Sequence, residues 1–252
     1  MRLTVIGSAA SFAGAGQACS CYLVEDGDKA IVFDLGHGAL AALIAFRDPA
    51  TVDAYFISHE HADHFVDLYA LQALLRFAPS GPLPPLTLYG PTGLLRRMGA
   101  LLSEPAAAQL TDAFAFEGMS GGQTVQVGSM TVTASCTEHT EGSIGYRVTG
   151  GDGSSLAYTS DTLPGSRALQ IAAGADVLLT EATLPTRYEG RAPHLSPGQA
   201  GELALEAKVG TLVLTHLWPT ADRDELIADA RAVFPGEVLL AETGLVVPVA
   251  RK

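Results

Sequence analysis

The stretch Ser58-His59-Glu60-His61-Ala62-Asp63-His64 closes an apolar, β-prone run at residues 54–58. Two imidazoles at a spacing of two project to the same side of an extended chain. Asp63 and His64 then fall where the next helix should begin, turned back toward the strand end. Four metal-ligating side chains thus lie within six residues, an arrangement suited to a metal centre. Outward from this cluster, His139 follows a predicted strand at 130–135, Asp161 follows one at 155–159, and His216 follows one at 211–215. Each sits just past the carboxyl end of a buried strand, where open α/β sheets place their sites. Singly, each could be a capping or hydrogen-bonded residue of no further consequence. Jointly with the first cluster they supply five histidines and two aspartates, enough for two metal ions.

The hydrophobic pattern predicts strands, then helices, twice over. Strands are expected at 3–6, 20–25 and 30–34, the last two joined by Asp26-Gly27-Asp28. A helix at 38–46, a strand at 54–58 and a helix at 65–77 follow, the last carrying Leu68, Leu71 and Leu75 on one face. A strand at 86–89 and a helix at 92–102 complete the first half. The second half brings strands at 124–127, 130–135, 144–149, 155–159, 177–180 and 211–215, with Gly150-Gly151-Asp152-Gly153 turning one hairpin. Ser196, Pro197 and Gln199 spell a capping box at a helix start. A helix at 222–234 and strands at 238–240 and 245–249 end the pattern. The expectation is one domain over residues 1–252, built of two related α/β halves at about 1–123 and 124–252.

Composition excludes several classes. Hydrophobic residues make up 48% of the chain and charged residues 17%, too apolar for a disordered protein. Acidic residues outnumber basic ones, 27 to 15, for a net charge of −12. No basic stripe is present to neutralise a nucleic-acid backbone, so DNA is excluded as a partner and long RNA is disfavoured. Three cysteines do not make a disulfide framework. Cys19 and Cys21 alternate in an extended segment and read as buried small hydrophobes. No signal-peptide pattern or membrane span is apparent, and a soluble cytoplasmic location is the expectation.

The motif His-x-His-x-Asp-His, present as His59, His61, Asp63 and His64, resembles that of the metallo-β-lactamase superfamily of hydrolases. The resemblance runs from Phe33-Asp34-Leu35-Gly36-His37-Gly38 to His216. It implies an α/β (α+β) fold, a four-layer αββα sandwich of two mixed sheets flanked by helices. It also implies a dinuclear centre in which His59, His61 and His139 hold one metal, Asp63, His64 and His216 the other, and Asp161 bridges. Asp34 matches a buried structural aspartate. His61, where a di-iron branch carries Glu, disfavours redox chemistry, and the histidine-rich set with a bridging carboxylate suits Zn²⁺ first, Mn²⁺ or Fe²⁺ next. Two divalent ions, two aspartates and a hydroxide leave one net positive charge, a local trap for a small anion.

Within the superfamily the chain resembles the ribonuclease Z-like phosphodiesterases. Thr180-Glu181-Ala182-Thr183 looks like their His-Glu-Ala-Thr motif without its first histidine, and Ala192-Pro193-His194-Leu195-Ser196 matches their Gly-His-Ser-Thr segment. His194 is thereby a candidate to contact the scissile phosphate or protonate the leaving oxygen. The implied catalytic set is Asp63, Asp161 and His194. Ser8, in the small-residue loop 7–16, and Trp218 are candidate substrate contacts, the first through the loop's N–H groups and the second by stacking on a base. Arg96-Arg97 reads as a solvated helix face. The tRNA-gripping arm of such relatives would lie between His139 and Asp161, but only 22 positions separate them. The expected function is therefore metal-dependent hydrolysis of a small anionic nucleotide, most plausibly cyclic, by attack of a hydroxide shared by the metals. Ribonuclease Z-type RNA 3′-end processing and ester, thioester or lactone hydrolysis are the alternatives; a non-catalytic nucleotide-binding or metal-sensing protein is the rival of another class. Relatives of this kind often pair, so a homodimer is also an expectation.

Overall fold

The computed structural model describes residues 1–251. In chain order its strands are β1 (Arg2–Gly7), β2 (Cys21–Asp26), β3 (Lys29–Phe33), β4 (Ala54–Phe56), β5 (Leu86–Pro91), β6 (Phe114–Met119), β7 (Thr124–Val127), β8 (Met130–Cys136), β9 (Ile144–Thr149), β10 (Ser155–Tyr158), β11 (Val177–Glu181), β12 (Thr211–Thr215), β13 (Glu237–Leu240) and β14 (Val246–Pro248). The helices are α1 (Ala39–Leu43), α2 (Ala62–Phe65), α3 (Leu68–Arg76), α4 (Leu94–Gly99), α5 (Glu104–Ala108), α6 (Leu110–Ala113), α7 (Ser166–Ala172), α8 (Pro197–Glu206) and α9 (Arg223–Arg231). They form two seven-stranded sheets, ordered β14-β1-β2-β3-β4-β5-β6 and β13-β12-β11-β10-β9-β8-β7. Both are mixed: β3 to β6 run parallel, as do β10 to β13, while the remaining pairs are antiparallel.

Three apolar layers explain the stacking. Between the sheets lie Leu3, Tyr22, Phe33, Phe56, Met130, Val132, Tyr146, Tyr158 and their neighbours. A second layer packs the outer face of the first sheet, with Val32, Tyr55 and Leu88, against Leu68, Leu71 and Leu75 of α3. The third packs Leu178, Leu212 and Leu214 of the other sheet against α7, α8 and α9. The result is the expected αββα sandwich. Strands buried on both faces carry continuous apolar runs, as in Leu-Val-Leu of β12. By contrast β8 alternates, with Met130, Val132 and Ala134 buried between partly covered Thr131, Thr133 and Ser135.

Several elements depart from the hydrophobic pattern. The predicted helix at 65–77 forms as α3 over Leu68–Arg76, while Phe65 ends the separate short helix α2 and residues 66–67 lie between the two. The Asp67 carboxylate there accepts from the Leu40 backbone N–H, tying the turn to α1. Strand β6 and helices α5, α6 and α7 were not anticipated: β6 is an edge strand with only its ends buried, and α5 buries nothing, so neither shows a full period. The last strand, β14, pairs with β1 and so returns to the first sheet. The capping box at Ser196 forms as read, with Oγ accepting from the Gln199 backbone N–H. Among the described residues no helix is long and apolar enough to cross a membrane.

A group of rings joins the sheets below the motif loops. Phe33 stacks on Tyr146 at 5.1 Å between centroids and lies 5.9 Å from Tyr158, and Phe56 stacks on Tyr89 at 4.8 Å. Phe33→Ala should therefore cost about 3–5 kcal/mol of stability. Removing the exposed Ile44 side chain should change it by under about 0.5 kcal/mol. Urea denaturation of both variants checks the contrast.

Candidate metal centre

Strand direction gathers the polar residues at one edge of the sandwich. Asp34 follows β3, Ser58 to His64 follow β4, His139 follows β8, Asp161 follows β10, Glu181 ends β11 and His216 follows β12. Three of these chain reversals use positive φ at non-glycine residues: Asp34 (57°), Ser160 (55°) and His216 (50°). Such backbone is disfavoured for ordinary side chains and persists where surrounding contacts over-determine it. Gly36 meets a stricter limit, since a Cβ there would lie 1.9 Å from the Asp63 carbonyl oxygen.

Asp34 organises the floor. Fully buried, it accepts at Oδ1 from the Ser58 backbone N–H (2.7 Å) and at Oδ2 from Ser58 Oγ (2.8 Å) and Tyr158 Oη (2.6 Å). His64 Nδ1 also lies 2.8 Å from Oδ2, which turns His64 Nε2 inward. Ser58 Oγ in turn contacts His59 Nδ1 at 3.0 Å. On the other sheet Thr183 Oγ1 contacts His216 Nδ1 at 2.9 Å, so His216 Nε2 also faces inward. Outer partners of this kind fix ring tautomer and direction.

The inward atoms converge in overlapping groups: Asp161, Glu181, His194 and His216 form one, and the predicted ligands form the other two. His59, His61, His139 and Asp161 offer ligand atoms within 4.8 Å of one another, and so do Asp63, His64 and His216. His59 Nε2 and His139 Nε2 lie 3.0 and 3.1 Å from His61 Nδ1. That is close to the edge of about 3.3 Å expected for a tetrahedron with Zn–N bonds of about 2.0–2.1 Å. Asp161 stands between the groups, 3.7 Å from His59 and His139, 3.4 Å from His64 and 3.5 Å from His216. His64 Nε2 and Asp161 Oδ1 are buried without a hydrogen-bond partner, although such atoms in a native interior are ordinarily satisfied. This donor chemistry fits divalent cations. All seven residues predicted as ligands are thus brought together.

Electrostatics agree with that reading. Burial and the surrounding imidazoles hold His59 well below its ordinary pKa, burial also lowers His61, and His139 is pushed down to about 4. These rings are therefore neutral, as metal ligation requires. Burial alone would raise Asp63 and Asp161, yet His216 and His64 hold both carboxyls below the usual range. Burial opposes charge on His64, but Asp161 and Asp34 outweigh it and raise its pKa. The positive charge drawn to His64 is the charge a cation would supply.

A second buried pair adjoins the centre. Glu181 accepts at Oε1 from the Thr162 backbone N–H (2.6 Å) and at Oε2 from Thr183 Oγ1 (2.8 Å). The same Oε2 lies 2.8 Å from His194 Nδ1, and His194 is 3.7 Å from Asp161. Burial alone would lower the His194 pKa, but Glu181 raises it. Glu181 itself is raised by burial. Its partnership with His194 could not be read from sequence, because 13 positions separate them and a loop folds between. Thr180, where the family motif has histidine, contacts Thr159 Oγ1 at 2.8 Å instead.

Ser8 requires a correction. It is fully buried, its Oγ donates to the Ala241 carbonyl and its N–H to the Ala18 carbonyl, so neither group is free for substrate. The loop reaches the site through another residue, Ser11, whose N–H donates to Asp63 Oδ2 at 2.6 Å. Trp218 is exposed beyond His216 and meets Phe12 edge-to-face, 5.3 Å between centroids. Phe12 was missed because the Phe12–Trp218 contact is long-range.

Comparison with known proteins agrees with the geometry. The family model described as a β-lactamase superfamily domain matches residues 30–217, which include every residue of the two ligand groups. The chain belongs to the metallo-β-lactamase superfamily of hydrolases, in its ribonuclease Z-like branch. This metallo-hydrolase is 35% identical over 250 residues to a Mycobacterium leprae protein, with 97% of this chain and 87% of the other covered. To the probable metallo-hydrolase YhfI of Bacillus subtilis it is 31% identical over 251 residues, covering 98% and 99%. The crystal structure of YhfI superposes with a TM-score of 0.86, covering 98% of both chains at 28% identity. Ribonuclease BN of Salmonella paratyphi C is 30% identical over 266 residues, covering 82% of this chain and 86% of that one.

Asp34→Ala would leave buried donors on Ser58 and Tyr158 without an acceptor and free the His64 ring to turn. We expect it to lower stability by at least about 3 kcal/mol. The urea midpoint measures this; a wild-type midpoint would mean the three side chains find other partners.

Proposed function

We propose that this metallo-hydrolase is a dinuclear phosphodiesterase acting on small anionic nucleotides, cyclic nucleotides foremost. The observation that carries the reading is the Glu181–His194 pair, placed 3.7 Å from Asp161; its atoms also group with Asp161 and His216, and we assign the pair to proton transfer because Glu181 is already occupied by Thr162, Thr183 and His194. Hydrolysis of a nucleotide phosphodiester expels a ribose alkoxide, a poor leaving group that calls for a proton donor, and this pair is placed to supply one. In this reading His59, His61 and His139 would hold one ion, Asp63, His64 and His216 the other, and Asp161 would be shared between them. Such ions, Zn²⁺ first and Mn²⁺ or Fe²⁺ next, supply an activated water nucleophile near neutral pH and offset charge on the phosphoryl oxygens.

The chain's own groups supply the rest. Glu181, itself anchored by Thr162 and Thr183, accepts from His194 Nδ1–H and thereby aims His194 Nε2 at the substrate. His194 donates its proton to the departing oxygen, and Glu181 stabilises the imidazolium before that transfer. Asp63, fixed by Ser11, and Asp161 complete the catalytic carboxylates. Trp218 and Phe12, 36% and 43% exposed, offer a ring surface for a nucleobase. Between His139 and Asp161 the chain forms only β9, β10 and short loops, which favours a small substrate over a gripped tRNA. The −12 charge of the chain supports the same choice. All three cysteines are free, which suits a reducing compartment, and we place the enzyme in the cytoplasm.

Elemental analysis after saturation with Zn²⁺ or Mn²⁺ should give close to two metals per chain, and Asp161→Ala should lose metal and most activity. One ion or fewer in the wild type would sink the dinuclear assignment. Side-by-side assays of cyclic nucleotides, precursor tRNA and a lactone test the substrate class. Turnover of a cyclic nucleotide is expected; site-specific cleavage of precursor tRNA alone would restore the ribonuclease reading, and lactone turnover alone the ester reading. His194→Ala should keep its metals but lose about 10²–10⁴-fold in rate on the natural leaving group. The loss should shrink on a nitrophenyl ester, whose leaving group needs no proton. Equal losses on both substrates would make His194 a binding residue instead.

A further inference from the structure

A cavity of about 490 Å³ opens directly off the centre, with His61 as part of its wall. Its other polar lining includes Glu60, Thr92, Arg96, Arg97 and Glu141. Its volume lies within the range of small-molecule sites, about 300–1,000 Å³. The two arginines differ in state. Arg97 Nε donates to Glu60 Oε2 at 3.0 Å, so these charges offset each other. Arg96 is exposed, and its side chain forms no hydrogen bond or ion pair with any described residue. Gly93 makes room for this arrangement: a Cβ there would lie 2.4 Å from Glu60 Oε1 and 3.5 Å from Arg96 Nη2.

An unpaired guanidinium is unusual company for a chain with 27 acidic residues against 15 basic ones. Arg96 lines the same cavity as His61, so a guanidinium stands in the wall of a space that borders the centre. Thr92 adds a hydroxyl to the same wall, and exposed Glu141 lines it as well. The planar guanidinium fork matches carboxylate and phosphate oxygens, and a phosphodiesterase site makes phosphate the relevant one.

We propose that Arg96 binds a second, non-scissile phosphate of the substrate, so that the favoured substrates are nucleotides bearing two phosphates, such as a cyclic dinucleotide. The proposal rests on the phosphodiesterase reading for its catalytic consequence, while the phosphate contact itself can be tested without turnover.

The ratio of kcat/KM for cyclic di-AMP to that for 3′,5′-cyclic AMP should fall at least about tenfold in Arg96→Ala, with partial recovery in Arg96→Lys. In parallel, calorimetry on metal-loaded protein should give adenosine 3′,5′-bisphosphate tighter binding than adenosine 5′-monophosphate. That preference should fall by a similar factor in Arg96→Ala. If the wild type hydrolyses no phosphodiester, the enzymatic reading fails and calorimetry alone decides the Arg96 contact. A bisphosphate preference that is absent in the wild type, or unchanged in Arg96→Ala, overturns the proposal.

Discussion

The carboxylate of Asp34 is the contact on which the centre depends. Its position sets a direction for every hydrogen around it. Tyr158 Oη and Ser58 Oγ both donate to Oδ2, and the Ser58 N–H occupies Oδ1. Ser58 Oγ has one hydrogen and has given it to Asp34, so toward His59 Nδ1 it can only accept. The His59 proton therefore sits on Nδ1, and its Nε2 lone pair points inward. His64 donates from Nδ1 to Asp34 in the same way. One buried acceptor thus fixes the tautomers of two candidate ligands from opposite ends of the motif. Because Tyr158 belongs to the second sheet, the same carboxylate also fastens the two sheets together at the site.

Other cross-sheet bonds share that task. Tyr146 Oη donates to the Ile57 carbonyl, the Ile144 N–H donates to the Ser58 carbonyl, and Tyr22 Oη pairs with Thr215 Oγ1. All lie within a few residues of a proposed ligand. The rings that carry these hydroxyls are the same rings that fill the core between the sheets. Core packing and ligand placement are consequently one structural problem, solved with tyrosines that have an apolar body and a polar tip.

What could be read from the chain follows from the range of the interactions. The His-x-His-x-Asp-His motif and the capping box at Ser196 are local, and both form as their spacing requires. His139, Asp161 and His216 were readable because each follows a strand with a plain apolar run. The Glu181–His194 pair, the Ser11 contact to Asp63 and the Phe12–Trp218 edge contact join distant segments and leave no periodic trace. Ser8 was misread for the complementary reason: a small polar residue in a glycine-rich loop suggests exposure, but β1 carries the loop beneath the sheet edge, where Ala241 takes its hydroxyl. Edge strand β6 and the short helices around it lack a full buried stripe, which is the signal that pattern reading needs.

The return of β14 to β1 governs the order in which the molecule can be assembled during synthesis. The edge of β1 that faces β14 has no partner in the chain until residues 246–248 emerge. His216 likewise leaves the ribosome long after His59, His61 and His64, and Ser8 must wait for Ala241. The nascent first sheet therefore presents an open edge and a half-built ligand set, a combination that invites edge pairing with another chain and promiscuous capture of ions. The complete ligand set exists only once the second half has been made, so the proposed centre is finished late in synthesis.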